Sequence, residues 1–378
     1  MDVGQTIINN KTPIIKIITI FIIVFISIFI ISKVSTKSSN CSKIATSKNT
    51  TKFASISSGN QPCIVNSVNS KNIMDLLLNQ VFVKTAHDCC CSGDYKNDYV
   101  DLCALINCRD DGVRALDFQI YSLLTKPIIA AASVPGNKYK EMYNSLDFYT
   151  TMQEVKRRFL TSECSNFSDP LFLIFRVNSA LQTTYDSMFS TLLEIFGSGS
   201  TTGNILYINK STNIGSVKLS DLVGKVIICV YAYDAPTFYK STLTTITSLD
   251  LNTAQNKIRY ETELLDSQLT ILPTDAVGSL LSTNANIAFP NQQSSSANMD
   301  FVLTGLYYGI TFIGMNFQKS DSGRVSYDKF FSKGGSGYGC SFIEKLTSAQ
   351  ISNSATNNPD GSKPLYSIDL LTKLAVLN

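Results

Sequence analysis

The 378-residue chain contains a single histidine, His87, and Asp88 follows it directly. Histidine is the side chain whose ordinary pKa suits proton transfer near neutrality. A neighbouring carboxylate can orient the ring or share its proton. His87 closes the apolar run Val81–His87, which reads as a strand. A second acid, Asp117, lies in Arg114–Tyr121, where Ala115, Asp117 and Gln119 fall on one face and Leu116, Phe118 and Ile120 on the other. Arg176 interrupts the otherwise apolar strand pattern Leu171–Val177. A guanidinium in a buried strand needs an anion, which Asp117 or Asp88 would supply. His87 is read either as a site residue or as a hydrogen-bonded structural histidine. Cys89, Cys90 and Cys91 come next, with Cys103 and Cys108 not far behind. Zinc sites show paired C-x₂₋₄-C knuckles, whereas consecutive cysteines point in different directions. Disulfides or buried thiols are therefore expected there, and no metal.

The elements that must hold these residues follow from the pattern along the chain. Asn72–Gln80 reads as a short helix and Pro127–Val134 as a short apolar run. Leu146–Leu160 has Met152, Val155 and Phe159 at helical spacing, with Glu154 and Arg158 as an i,i+4 pair. A helix around Tyr185–Phe196 precedes strands at Asn204–Ile208 and Val226–Tyr233. Met299–Gly309 reads as a helix leading into Ile310–Phe317, Tyr327–Lys333 as helical and Tyr338–Ile343 as extended. Strands alternating with helices argue for a parallel α/β fold. The span 72–348 suits one TIM-type (β/α)8 barrel, with a doubly wound sheet as the alternative. No G-x-G-x-x-G or P-loop opens a helix, so a nucleotide-binding version lacks support.

Outside that span, Pro13 to Ser32 carries one charge, Lys16, near its edge. As a helix this run is about 30 Å long, the thickness of a bilayer's hydrocarbon core. Residues 1–33 are therefore expected to be an N-terminal transmembrane anchor. A cleaved signal peptide is the rival reading, but the run is long for one and no small-x-small cleavage site follows. Residues 34–71 are rich in Ser, Thr, Lys and Asn, lack an apolar period and read as a solvated stalk. Cys41 and Cys63 in this stretch can pair with each other or with the domain. Residues 349–378 form a tail, polar at first and apolar over Leu365–Leu377. Lys33, Lys37, Lys43 and Lys48 after the anchor favour a cytoplasmic domain. Ten cysteines and N-x-Ser/Thr sequons at Asn40, Asn49, Asn166 and Asn209 favour a lumenal or exterior one, which is the orientation expected here. A net charge of +3 without a basic stretch excludes a nucleic-acid binder. Richness in Ile, Asn, Ser, Thr and Lys fits an A/T-rich genome such as that of a large DNA virus or a protist.

Six segments, in order, resemble phosphatidylinositol-specific phospholipase C. Thr85-Ala86-His87-Asp88 is similar to its first-strand motif, and Gly112-Val113-Arg114-Ala115-Leu116-Asp117 to the second-strand motif G-x-R-x-L-D. Asp169-Pro170-Leu171-Phe172-Leu173-Ile174-Phe175 resembles the strand after a helix. Leu219-Ser220-Asp221-Leu222-Val223-Gly224-Lys225-Val226-Ile227 resembles L-x-D-L-x-G-K-hydrophobic. Tyr308-Gly309-Ile310-Thr311-Phe312-Ile313-Gly314-Met315-Asn316-Phe317-Gln318 is similar to G-C-Q-x-V-A-x-N-F-Q. Phe330-Phe331 with Gly337-Tyr338-Gly339 resembles the family's ending. The resemblance covers residues 76–346 and implies a TIM-type barrel with its site at the C-terminal ends of the strands.

That family transfers a phosphoryl group within its lipid substrate, using two histidines for proton transfer and either calcium or a fixed arginine as the cation. One histidine cannot fill both roles. Where the second is expected the chain reads Ile129-Ala130-Ala131-Ala132-Ser133. Ala115 stands where the calcium enzymes carry a glutamate, and Arg176 near where they carry another. Gln119 stands where metal-free members carry arginine, and Cys229 and Tyr231 where lysines are expected. The calcium ligands are thus incomplete, and no cofactor is expected. The resemblance implies a degenerate site with remnants His87, Asp88 and Asp117, and with Arg176 as a phosphate-binding cation or replacement for the metal. The expected protein is a membrane-anchored phospholipase C-like pseudoenzyme that binds a phospholipid headgroup or serves as a structural part of a membrane or virion. An active phosphodiesterase centred on His87 is the alternative. Protein partners are not legible.

Overall fold

The computed structural model describes residues 3–46, 52–57, 72–197, 203–208, 213–253, 258–264, 285–291, 295–301, 309–332 and 338–345. The chain opens with α1 (Val3–Thr46), one helix in which the apolar side chains from Ile15 to Ile31 are exposed. Among the described residues this is the one helix long and apolar enough to cross a membrane, a criterion that a signal sequence also meets. The helix does not stop where the apolar run stops. Its polar continuation, mostly exposed, lies in the stretch expected as a solvated stalk and touches the domain through Lys37, Asn40 and Cys41. β1 (Phe53–Ala54) is docked too. Two short 3₁₀ turns, Ile73–Asp75 and Leu78–Gln80, replace the helix expected over 72–80.

The body follows as β2 (Val81–Ala86), α2 (Leu102–Asp110), β3 (Ala115–Leu123), β4 (Lys126–Ala130), β5 (Leu146–Asp147), α3 (Phe148–Phe159), β6 (Leu171–Val177) and α4 (Gln182–Phe196). Then come α5 (Leu219–Leu222), β7 (Val226–Ala232), α6 (Ala235–Lys240), β8 (Leu249–Asp250), β9 (Ile258–Tyr260), β10 (Ile287–Phe289), β11 (Phe312–Met315), α7 (Ser322–Phe331), β12 (Gly339–Cys340) and β13 (Phe342–Glu344). Local chemistry explains the clearest elements. In α3 the Asp147 carboxylate caps the first turn by accepting from the Thr150 N–H at 2.8 Å. Met152, Val155 and Phe159 face the core, and Lys156, Arg157 and Arg158 lie at the negative end of the helix dipole. The apolar run of β6 is buried throughout, as a parallel strand covered on both faces must be.

The sheet order is β8-β7-β6-β3-β2-β11-β10-β9, and every neighbouring pair in it is parallel. The strands follow one another in chain order around the sheet, starting at β2. The sheet is curled: the rings of Phe172 on β6 and Phe312 on β11, three strands apart, have centroids 4.9 Å apart. Phe118 and Phe175 point the other way, and Phe175 packs on Phe148 of α3. β4 pairs antiparallel with the part of β3 that runs beyond β2, and β13 pairs antiparallel with the first half of β2. β8 and β9 end the sheet, and no pairing joins them among the described residues.

Two further expectations change, and two others concern residues that are largely or wholly outside those described. Asn204–Ile208 makes only an isolated bridge, Leu206 to Val226. Met299–Gly309 and the tail 349–378 fall largely or wholly outside the described residues. The sequon asparagine Asn166 is buried and donates to Ser341 Oγ at 2.7 Å, so it is a structural tie at the base of the sheet and closed to glycosylation. Arg114, also buried, ties the same end by donating to the backbone carbonyls of Phe159, Asp169 and Pro170.

Candidate functional site

His87 and Asp88 just beyond β2, Asp117 in the first third of β3 and Arg176 near the end of β6 come together. The parallel register places Gln119 opposite Arg176 and Asp117 opposite Ile174, so Asp117, Gln119 and Arg176 share the inner face. His87 Nδ1 lies 2.8 Å from Asp117 Oδ2, which assigns Nδ1–H as the donor. Arg176 donates through Nε to Asp117 Oδ1 at 2.9 Å, and through Nη2 to Asp117 Oδ2 and Asp88 Oδ1, each at 2.7 Å. Asp88 has a left-handed backbone, φ 45°, which a short polar side chain tolerates. That turn aims its own N–H at Asp117 Oδ2, 3.0 Å away.

Electrostatics follow from this packing. Burial alone would raise the Asp117 pKa, but the charge of Arg176 and the hydrogen bond from His87 hold its carboxyl well below the usual carboxylate range. Burial works against the Arg176 cation, and Asp117 and Asp88 outweigh it, so its pKa is raised well above the ordinary value. Burial, then Asp88, raises the Tyr95 hydroxyl. Two polar atoms are left over: His87 Nε2 and Arg176 Nη1 are buried without a hydrogen-bond partner, and Nε2 stands 3.5 Å from Asp88 Oδ2.

Residues that sequence reasoning did not place complete the wall. Phe289 of β10 stacks on His87 with centroids 4.4 Å apart and lies 5.1 Å from the Arg176 guanidinium. Its ring passes over Gly314, where a Cβ would lie 2.4 Å from it, so only glycine fits under that stack. Gln119 donates to Asp88 Oδ2 at 3.0 Å and exchanges hydrogen bonds with the backbone of Ala132. Tyr121 in turn donates to Gln119 Oε1 at 2.8 Å. No pattern in the sequence marks Phe289. Gln119 was visible as a departure, but its partner was not. The four charged or titratable side chains have exposures of 0 to 3%, so they converge in a closed cluster and not in an open pocket.

His87, Asp88 and Asp117 lie close enough together to share a cation. They do not fit calcium, because the Arg176 guanidinium already sits between both carboxylates and Ala115 adds no oxygen. The second group with metal-ligand types, Cys41, Asp101 and Cys103, is closed by a Cys41–Cys103 disulfide. Cys89, Cys90, Cys91 and Cys108 are free, buried thiols, and burial raises those of Cys89, Cys91 and Cys108 well above the ordinary value.

No family model matches the chain, and no curated protein sequence does. Solved structures do match. PLC21 of S. officinalis superposes with a TM-score of 0.55 at 15% identity, covering 72% of this chain and 37% of that one. PLC21 of L. pealei gives a TM-score of 0.54 at 14% identity, covering 72% and 38%. A calcium-dependent phosphoinositol-specific phospholipase C from Pseudomonas sp. is matched at a TM-score of 0.45 and 11% identity, over 72% of this chain and 96% of that one. The chain therefore spans little more than a third of either PLC21. At these identities the likeness defines the fold, which is phospholipase C-like: a mixed α/β domain around a curled, mainly parallel sheet.

Proposed function

We propose that this chain is a membrane-tethered phospholipase C-like protein whose former catalytic mouth is now an internally neutralised, closed cluster, so that the protein binds at the membrane or serves as a structural part of it and does not turn over phospholipid. The observation that carries the reading is the placement of Arg176, 2.7 Å from both Asp88 and Asp117, where a metal-dependent enzyme needs its cation site open. The chain's single histidine points the same way, because general acid and general base are separate roles in phosphodiester transfer. The curled sheet is read as a barrel whose seam lies between β8 and β9. The Cys41–Cys103 disulfide is in keeping with a lumenal or exterior domain. Deleting residues 1–33 is expected to release the protein from carbonate-washed membranes, and a truncated protein that still pelleted would contradict a sole N-terminal anchor.

A second reading has one observation in its favour. His87 holds Nδ1 on Asp117 and leaves Nε2 unpartnered, the arrangement of a base oriented by a carboxylate. In that reading the chain is an active phosphoric diester hydrolase acting through His87. Release of cyclic inositol phosphate from phosphatidylinositol vesicles, compared between the intact chain and His87→Ala, separates the two. No release by either protein supports the binding reading, and release that His87→Ala abolishes supports the enzyme.

A further inference from the structure

We infer that the mouth rim of the sheet rests on the surface of the same bilayer that holds α1, fixed there by the Cys41–Cys103 disulfide; this rests on the membrane tethering proposed above. The direction of α1 against the domain carries the inference. β2 ends at the mouth, and α2 starts there and returns toward the base, where Gly112 precedes β3. Along α1, Lys37 pairs with Asp101 at the start of α2 at 2.9 Å, Asn40 donates to Asp98 at 2.8 Å, and Cys41 is bonded to Cys103. The chain then reaches the base, where the Phe53 ring lies so close to Gly112 that a Cβ there would come within 2.2 Å of it. The helix therefore descends from mouth to base, and its exposed apolar run projects from the mouth side.

The level of the membrane surface is also marked. Lys33 is the first charge after the apolar run, and its Nζ lies 4.6 Å from the centre of the Tyr143 ring. The segment 134–143 is thus held at headgroup level. It carries Val134, 55% exposed, and Tyr139, 80% exposed. The neighbouring β3–β4 hairpin adds Leu123 at 57% and Leu124 at 86%. Exposed Lys126 and Lys138 flank these apolar groups. Apolar and aromatic groups ringed by lysine suit the interface of a bilayer, where such groups sit about 5–10 Å into the headgroup and acyl boundary. In water the same side chains would have no cover.

The chain has no tryptophan, so a substituted one is a unique reporter. Leu124→Trp places it on the rim, and Phe167→Trp places it at the opposite end, in the exposed loop before β6. Each full-length variant is reconstituted into phosphatidylcholine vesicles containing lipid brominated high on its acyl chains. The expected result is strong loss and a blue shift of Leu124→Trp emission, with Phe167→Trp emission unchanged. Adding Cys41→Ser and Cys103→Ser to Leu124→Trp is expected to weaken the quenching while the protein stays in carbonate-washed membranes and keeps its near-UV circular dichroism. Equal emission loss at the two positions, or none at Leu124→Trp, in protein retained by membranes overturns the rim contact and leaves the anchor standing. Quenching that persists without the disulfide overturns its role as the lock. Protein that leaves the membranes altogether, as monomer or as an oligomer that covers α1 with a second copy, overturns the tethering and the rim contact with it.

Discussion

Arg176 has two carboxylates at 2.7 Å in a cluster that water does not reach, and removing its charge would strand Asp88 and Asp117 without a counter-ion. Breaking such a buried pair from one side costs about 3–5 kcal/mol. Arg176→Met is therefore expected to lower unfolding stability by roughly that amount in a urea titration. Arg176→Lys should fall between, since an ammonium cannot span both acids in a planar fork. A loss within experimental error for Arg176→Met would mean that the cluster is not closed in solution. Lys345 offers a separate test at the base of the sheet. It is buried, donates to the Asn79 carbonyl and to Thr311 Oγ1 at 2.8 Å each, and burial pushes its pKa down to about 7. An unfolded lysine keeps its proton to ~10.4, so above pH ~7 unfolding takes up a proton and stability rises with pH. Between pH ~7 and 8, before buried thiols begin to act in the opposite sense at ~8.5, the wild type should gain stability that Lys345→Met does not. The charged residues of the site were legible because each interrupts a strand pattern: His87 ends one, Asp117 falls on an alternating face, and Arg176 breaks an apolar run. Phe289 was not legible, because an aromatic residue in a short strand looks like any core residue until the curl of the sheet brings it over His87.

At the scale of elements, the fate of α1 beyond residue 32 shows what sequence pattern misses. The Ser-, Thr- and Lys-rich stretch has no apolar period, yet it is helical to Thr46 because a disulfide, an ion pair and a side-chain hydrogen bond hold it against α2. Tertiary contacts override weak local preference. A non-reduced digest should yield a Cys41–Cys103 linked peptide. Cys89, Cys90, Cys91, Cys108, Cys164 and Cys229 should alkylate only after unfolding. Rapid alkylation of Cys41 in the native protein would place the domain in a reducing compartment and reverse the proposed orientation. β8, β9 and β10 were missed for a different reason: two or three residues each carry too little alternation to register as a period. β6 and α3 were read within a residue or two because burial on both faces and capping by Asp147 are written into their sequences.

For the whole molecule, the alternation of strand and helix announced a parallel α/β sheet, and the motif order announced its phospholipase C-like winding. The curl itself depends on contacts between strands far apart in the sheet, such as Phe172 with Phe312, which no local pattern encodes. The same curl turns four scattered residues into one buried cluster, and the proposed reading is that this cluster does not catalyse phosphodiester transfer. Charge that builds on a phosphate in transfer needs a free cation, and here the cation is already spent on Asp88 and Asp117. The most direct measurement is the rate of cyclic inositol phosphate release by the intact protein on phosphatidylinositol vesicles, with calcium and then with a calcium chelator. No release above background is expected in either condition. Release that calcium stimulates would contradict the proposed reading, because a metal would then be working where Arg176 sits.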